Sequence, residues 1–317
     1  TDSSADPREL APEDPRLKSY EGVLPGFRLE ASLNEACLSG WLSELARKGY
    51  DVPERHMDIY LHPGRPRVLE HFDRGPAVFR PEDSDTAYIA DKVIDYLRLR
   101  RKQDWFIHAV FLRPHPPLIA PAPYNTIIPT AAVPQPVKHA SREHEAAVHP
   151  FLRFWLDQQR DPAYFESQID VQSASEADLA EMRAVYYGLI HEVDAQLGRI
   201  FAHLEATGEL DETLIIFTSD HGEMLGDHWC WGKAGWYDAA NYIPLVIRDP
   251  KAPATARGRT VDAFTESVDV TPTILDWLGL DVPHEMSGQP LAPWIGGETP
   301  SAWRSAVFWE YDFRDPA

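Results

Sequence analysis

Asp220 and His221 stand side by side ahead of Gly222, and Lys233 follows the histidine by twelve residues between Gly232 and Gly235. A carboxylate and an imidazole are oxygen and nitrogen donors that can converge on one divalent cation. A lysine on a glycine-flanked loop adds a fixed positive charge, which can fold back over an anionic group on that cation. His115 is a further candidate, set in Arg113-Pro114-His115-Pro116-Pro117. The three prolines fix the backbone there, and with it the direction of the imidazole.

These side chains need rigid carriers. Thr213 to Phe217 is a short β-branched and apolar run that reads as a buried parallel strand. It stops at Ser219-Asp220, and the end of a strand in an open α/β sheet is where ligand sites form. Trp105 to Leu112 reads as a second buried strand, running into the His115 loop with His108 inside it as a core histidine, and Asn241 to Arg248 as a third. Helices are expected over Leu38 to Tyr50, closed by Gly49, and over Ser84 to Arg101, capped by Ser84 or Asp85. Ser175 to Thr207 opens with a Ser175 and Asp178 capping box, and Val268 to Gly279 has Thr271 as N-cap and Pro272 at its first helical position. The long helix, the Gly208 turn and the Thr213 strand make the αβ half of a parallel crossover. The expected fold class is α/β, a mostly parallel central sheet flanked by helices.

Pro121 to Asp170 is loop-rich, with Phe151, Phe154 and Trp155 suggesting a short helix that covers the core or an oligomer contact. His144 and His149 imitate a zinc-protease pair but are one residue too far apart; on one helix their rings diverge by about 140°. His56, His62 and His71 lack metal-type spacing and read as surface loop residues.

Composition narrows the partners. The 317 residues suit one large or two modest domains, and 44% hydrophobic residues with 10 Trp can bury a sizeable core. Against 30 basic residues stand 50 acidic ones, a net charge of −20 that argues against nucleic acid or an anionic membrane as partner. An anionic substrate therefore needs a local positive site. Two cysteines, Cys37 and Cys230, form neither a disulfide framework nor a zinc pair. No apolar run approaches membrane-spanning length and no signal pattern opens the chain, so a cytoplasmic location is the expectation.

Ser219-Asp220-His221-Gly222, the loop Gly226-Asp227-His228 and then Lys233 resemble the sulfatase branch of the alkaline phosphatase superfamily. The resemblance implies that Asp220 and His221 bind one divalent metal (calcium, magnesium, manganese or zinc) and that Lys233 contacts the sulfate or phosphate oxygens. It gives His115 the role of touching the substrate or protonating the leaving oxygen. Tyr186 to Asp194 matches the helix before the metal strand, which leaves His191 and Asp194 structural. Tyr20 to Tyr60 looks like the phosphonate monoester hydrolase and phosphodiesterase group of the family.

The same resemblance implies residues 1–300 as a sulfatase-like α/β domain and 301–317 as the start of a small C-terminal antiparallel subdomain, beginning near Val307 to Glu310. The family's first strand and its Cys- or Ser-x-Pro-x-Arg segment, whose Cys or Ser becomes formylglycine, are not found. The chain is thus expected to be an internal fragment with the nucleophile upstream of Thr1. The implied activity is metal-dependent hydrolysis of phosphonate monoesters, phosphodiesters or sulfate esters, with a small anionic ester as substrate and a homo-oligomer as the assembly left open. An arylsulfatase-type enzyme, a two-metal phosphatase or phosphoglycerol transferase, and a nucleophile-less anion-binding protein stay open beside it.

Overall fold

The computed structural model describes residues 27–33, 38–61, 68–159, 169–233 and 235–310. Cys37, His62 and the whole of the Tyr20 to Gly26 stretch therefore lie outside the described residues, as do 1–19 and 311–317. In chain order the regular elements are α1 (Ser39–Arg47), α2 (Asp85–Leu99), α3 (Arg142–Val148), α4 (Pro150–Gln158), α5 (Glu176–Thr207), β1 (Ile215–Thr218), α6 (Asp238–Asn241), β2 (Leu245–Arg248), α7 (Val270–Trp277) and α8 (Ala292–Ile295). Helices and strands together make an α/β chain. It divides into two compact units, one of residues 1–135 and 158–203, the other of 136–157 and 204–317. Among the described residues no helix is long and apolar enough to cross a membrane.

In the first unit, α1 buries Trp41, Leu42 and Leu45, which share one helical face. α2 starts where expected because the Ser84 hydroxyl accepts from the Ala87 N–H at 3.1 Å, satisfying one of the donors a helix start leaves open. Its Tyr88 and Ile89 join Trp41, Tyr60 and Phe79 in the core, with the Trp41 and Tyr60 rings stacked at 5.6 Å. α5 opens on the reciprocal cap read from sequence: Asp178 N–H donates to Ser175 Oγ at 3.1 Å and Ser175 N–H to Asp178 Oδ2 at 2.9 Å. Its stripe of Leu179, Met182, Val185, Leu189, Val193 and Ile200 is buried, while Ile190 is exposed. Gly188 stands inside that unbroken helix for a local reason, since a Cβ there would lie 2.0 Å from the Tyr124 carbonyl oxygen.

Trp105 to Leu112 differs from expectation. It forms neither strand nor helix among the described residues, and Phe106 and Val110 are each more than half exposed. An apolar run fixes extended backbone only as far as side-chain preference goes; a strand also needs a neighbour to accept its hydrogen bonds. His108 is likewise not a core histidine but an exposed ring set edge-on to Phe27 at 6.2 Å. His56 and His71 are exposed, as read.

In the second unit, β1 pairs with β2 antiparallel, in the register Ile215 with Arg248 and Phe217 with Val246. The parallel, buried strand expected over Thr213 to Phe217 is instead a half-exposed member of this two-stranded sheet. Between β1 and β2 the chain doubles back without a crossover helix of the size that a parallel neighbour requires, because 238–241 forms only the single turn α6. A second core gathers Phe151, Leu152, Trp155 and Leu156 of α4 with Met224, Cys230 and Ala240. The short helix foreseen around Phe151 thus covers a core, and Phe154 faces solvent.

Thr271 is not the cap of α7. The helix begins at Val270 behind a 3-10 turn over Ser267–Asp269, and the capping box is made by Glu266 and Asp269. Pro272 consequently sits at the third helical position, where its missing N–H is still one of the open donors. The fully buried Asp269 is held by a two-pronged bond from Arg304, 2.6 Å at each nitrogen, and accepts from Gln289 N–H at 2.8 Å. A partner 35 residues away decides the cap, and no local pattern reveals it. Val307 to Glu310 forms no strand among the described residues, and Phe308 is 84% exposed.

Candidate active site

β1 delivers Asp220 and His221 two and three residues past its end at Thr218. Ser219 Oγ donates to the His221 carbonyl at 2.8 Å and the His221 N–H donates to Asp220 Oδ1 at 2.9 Å, so the turn is tied to itself. The His221 Nδ1 lies 2.8 Å from the Gly222 carbonyl oxygen. A carbonyl only accepts, so Nδ1 carries the proton and Nε2 presents its lone pair. Nε2 faces Asp220 Oδ2 at 3.4 Å. Two electron-rich atoms at that separation call for positive charge, either a proton on Nε2 or a cation taken by both. Ligand distances of about 2.0–2.2 Å leave two ligands of one ion roughly 3–3.5 Å apart, so the pair fits a divalent metal. Asp220 is largely exposed and open to further ligands. Among the described residues no group of three or more His, Cys, Asp and Glu forms a complete cage, so these two would supply part of an ion's shell.

Gly222 is required by close approach: its N–H donates to the Ala240 carbonyl at 2.7 Å, and a Cβ would lie 2.1 Å from the Ala239 carbonyl oxygen. From there the chain leaves in a loop that closes on its own base. Met224 N–H donates to the Gly232 carbonyl at 2.9 Å, and Gly232 N–H returns to Glu223 Oε1 at 2.6 Å. Lys233, exposed and next to Gly232, is thereby brought back beside the residues that follow His221. The glycine-flanked loop thus closes through Glu223, Met224 and Gly232.

Inside the loop Leu225, His228 and Trp229 have φ of 47°, 54° and 60°, a left-handed conformation costly for such side chains. Neighbours hold it in place. His228 N–H donates to the Val137 carbonyl at 2.7 Å, Val137 N–H to Asp227 Oδ1 at 3.0 Å, and the Trp229 indole to the His139 carbonyl at 2.9 Å. The His228 Nδ1 donates to the buried Glu145 Oε1 at 3.0 Å while its ring stacks on Tyr237 at 3.7 Å. His144 lies within α3 but His149 falls beyond its end and accepts the Phe151 N–H, which disposes of a shared metal. Cys230 is buried, and that burial, with Glu145 next, pushes its thiol up to about 12. It is no thiolate nucleophile at neutral pH.

His115 belongs to the first unit. Its N–H donates to the Leu112 carbonyl at 3.1 Å and its Nδ1 to the Pro116 carbonyl at 2.7 Å. Beneath it lies a cluster that the sequence pattern did not single out. Arg113 is almost wholly buried, donates through Nε to Asp85 Oδ2 at 3.0 Å, and rests 4.4 Å above the Tyr60 ring. Tyr60 donates its hydroxyl to the same Asp85 oxygen at 2.8 Å; burial, and then Asp85, keep that phenol protonated well above its ordinary range. Glu192, wholly buried, has its carboxyl pushed up to about 7 by burial and then by Asp85. One signal was available: an arginine directly after an eight-residue apolar run is a charge that must find a partner if it follows the run inward. His191 and Asp194, read as structural, are both exposed.

A sequence model of the Sulfatase family matches residues 40–280. The multifunctional alkaline phosphatase superfamily protein PehA of Trinickia caryophylli is 38% identical over 316 residues, 99% of this chain and 61% of that protein. Among solved structures, the phosphonate monoester hydrolase of Agrobacterium radiobacter is 42% identical with a TM-score of 0.88, covering 98% of this chain and 61% of its own. The phosphonate monoester hydrolase SpPMH of Silicibacter pomeroyi is 41% identical with a TM-score of 0.84, over 95% and 58%. The chain spans about three fifths of the length of these relatives.

Proposed function

Because the chain belongs to the sulfatase family, we propose that the full-length protein hydrolyses phosphonate monoesters and phosphodiesters, and sulfate esters as a second class, around one divalent metal. The observation that carries this reading is the Asp220 and His221 pair, whose Nε2 and Oδ2 face one another at 3.4 Å. Asp220 and His221 would hold the metal, which when bound polarises an ester oxygen as a Lewis acid. Lys233 offsets negative charge on the transferred group. His115, with Nδ1 occupied, moves a proton at Nε2 to the leaving oxygen. The attacking group is the formylglycine typical of the family, and Cys230 does not supply it.

The phosphonate preference is supported by the identity to the two phosphonate monoester hydrolases, and the sulfate alternative by the family match. A phosphonate monoester anion and a sulfate ester carry the same single charge, so one small cluster of positive groups suits both. A mostly parallel central sheet in the whole enzyme belongs to the same reading. The remaining parts of the reading are a subdomain starting near residue 301, a homo-oligomer, a cytoplasmic location and no nucleic-acid or membrane partner. The deciding experiment uses the full-length protein, Asp220→Ala, and aryl esters matched in their leaving phenol. Elemental analysis should show bound metal lost in the variant, and the parent should prefer the phosphonate in kcat/KM. Unchanged metal content would remove Asp220 from the site. A hundredfold preference for the sulfate, about 2.7 kcal/mol of transition-state discrimination, would reverse the substrate order.

A further inference from the structure

Arg113 carries a buried charge whose bonds run in two directions. Its Nε is fixed by Asp85, at the first position of α2, and its guanidinium carbon lies over the Tyr60 ring at 4.4 Å from the centroid. Its Nη1 donates both to the His115 carbonyl at 2.9 Å and to the Pro117 carbonyl at 2.7 Å. The backbone at His115 and just after it is therefore held by the guanidinium of a residue two positions earlier. Asp85 is anchored in turn, because its Oδ1 accepts the Thr86 N–H at 2.8 Å while Oδ2 accepts from Tyr60 and Arg113. Side-chain exposure is 1% for Arg113 and 2% for Asp85, so water does not compete for these bonds.

A buried ion pair of this kind is weak evidence for stability, since desolvation offsets most of its attraction. What it supplies here is geometry. A planar fork with fixed donor directions holds two carbonyls in register, which a lysine, with one ammonium on a flexible stem, does not reproduce. We infer that Arg113, oriented by Asp85 and Tyr60, is the positioning residue that aims His115 Nε2 at the leaving oxygen. This rests on the reading of His115 as the group that protonates that oxygen. Arg113 itself touches no reacting atom in this scheme. A proton donor displaced by a fraction of an ångström loses effect most where the leaving oxygen needs a proton most.

The test compares the full-length, metal-loaded enzyme with Arg113→Lys, Tyr60→Phe and His115→Ala on two aryl phosphonate esters. One is the 4-nitrophenyl ester, whose phenolate departs without a proton, and the other is the phenyl ester, whose phenolate leaves poorly unaided. His115→Ala should slow the phenyl ester about a hundredfold more than the nitrophenyl ester, within the span of general acid catalysis. Arg113→Lys should show the same selective loss, about tenfold or more, with metal content unchanged and no added selectivity in the double variant with His115→Ala. Should Arg113→Lys fail to fold, Tyr60→Phe decides, since it removes only the hydroxyl that steadies Asp85 and keeps the ring beneath the guanidinium. Its selective loss is expected at about threefold or more. Equal losses on both esters in Arg113→Lys and Tyr60→Phe, with His115→Ala still selective, would reduce Arg113 to a structural role and overturn the inference. A nonselective His115→Ala would overturn the reading of His115 and the inference with it.

Discussion

A single hydrogen bond, from His221 Nδ1 to the Gly222 carbonyl, sets which imidazole nitrogen can meet a metal, and Gly222 in turn has no room for a side chain. The candidate donor atoms are thus oriented by backbone within one residue of them. For that reason the arrangement of Asp220, His221 and the Lys233 loop is one that sequence could propose: they are neighbours, or are joined by one closed loop. Asp85, Arg113, Tyr60 and Glu192 are not, because Tyr60 and Arg113 meet Asp85 across 25 and 28 residues. Lys233 gives the residue-scale prediction. Lys233→Ala should lower kcat of the full-length enzyme by about 10²–10³, the scale for losing one preorganised charge stabiliser, with bound metal unchanged. Single-turnover rates and elemental analysis on the same preparation check it, and a loss of metal in step with activity would move Lys233 out of substrate binding and into the support of the metal pair.

Elements declared by local chemistry were readable, and those that depend on a distant neighbour were not. The caps at Ser84 and Ser175 are short-range bonds between residues three apart, so sequence pattern finds them. The start of α7 depends on Arg304, and the apolar run Trp105 to Leu112 depends on a ladder partner, so pattern misplaced one and overstated the other. Gly188 in the middle of α5 separates the two influences. Alanine is the better helix former by about 1 kcal/mol, so propensity alone forecasts a more stable protein from Gly188→Ala. The added methyl, however, would stand 2.0 Å from the Tyr124 carbonyl oxygen, and forcing atoms into an occupied site costs about 1–3 kcal/mol. Net destabilisation is therefore expected in urea unfolding; an unchanged or raised midpoint would mean that the 121–126 loop moves freely away from α5.

On the scale of the whole molecule, a net charge of −20 makes every buried carboxylate matter to stability. Among the described residues, Glu192 has its carboxyl pushed up to about 7 against an ordinary 4.5. The groups that face it are Asp85, Arg113 and Tyr124. Its folded value lies above its unfolded value, so between these limits the folded protein holds a proton the unfolded chain has released. Stability contributed by that proton is complete below about 4.5 and is lost as pH rises to about 7, roughly 3 kcal/mol in all. Asp83 and Asp178, whose carboxyls lie below the usual range, lose their contribution only at lower pH, so the windows separate. Urea titrations between pH 5 and 8 should show the decline in the parent and a flat profile in Glu192→Gln. Parallel profiles would place the relevant proton elsewhere.

Arg304 has a practical consequence for anyone shortening this chain. Its guanidinium closes on Asp269 and Glu266, joining the last described stretch to the start of α7. An expression boundary drawn at residue 300 would strand a fully buried aspartate without its counter-charge, a defect worth about 3–5 kcal/mol. Tags, fusion joints and protease sites belong after Arg304, because a cut before it would be felt at the opposite end of a helix that the missing segment never visibly borders in sequence.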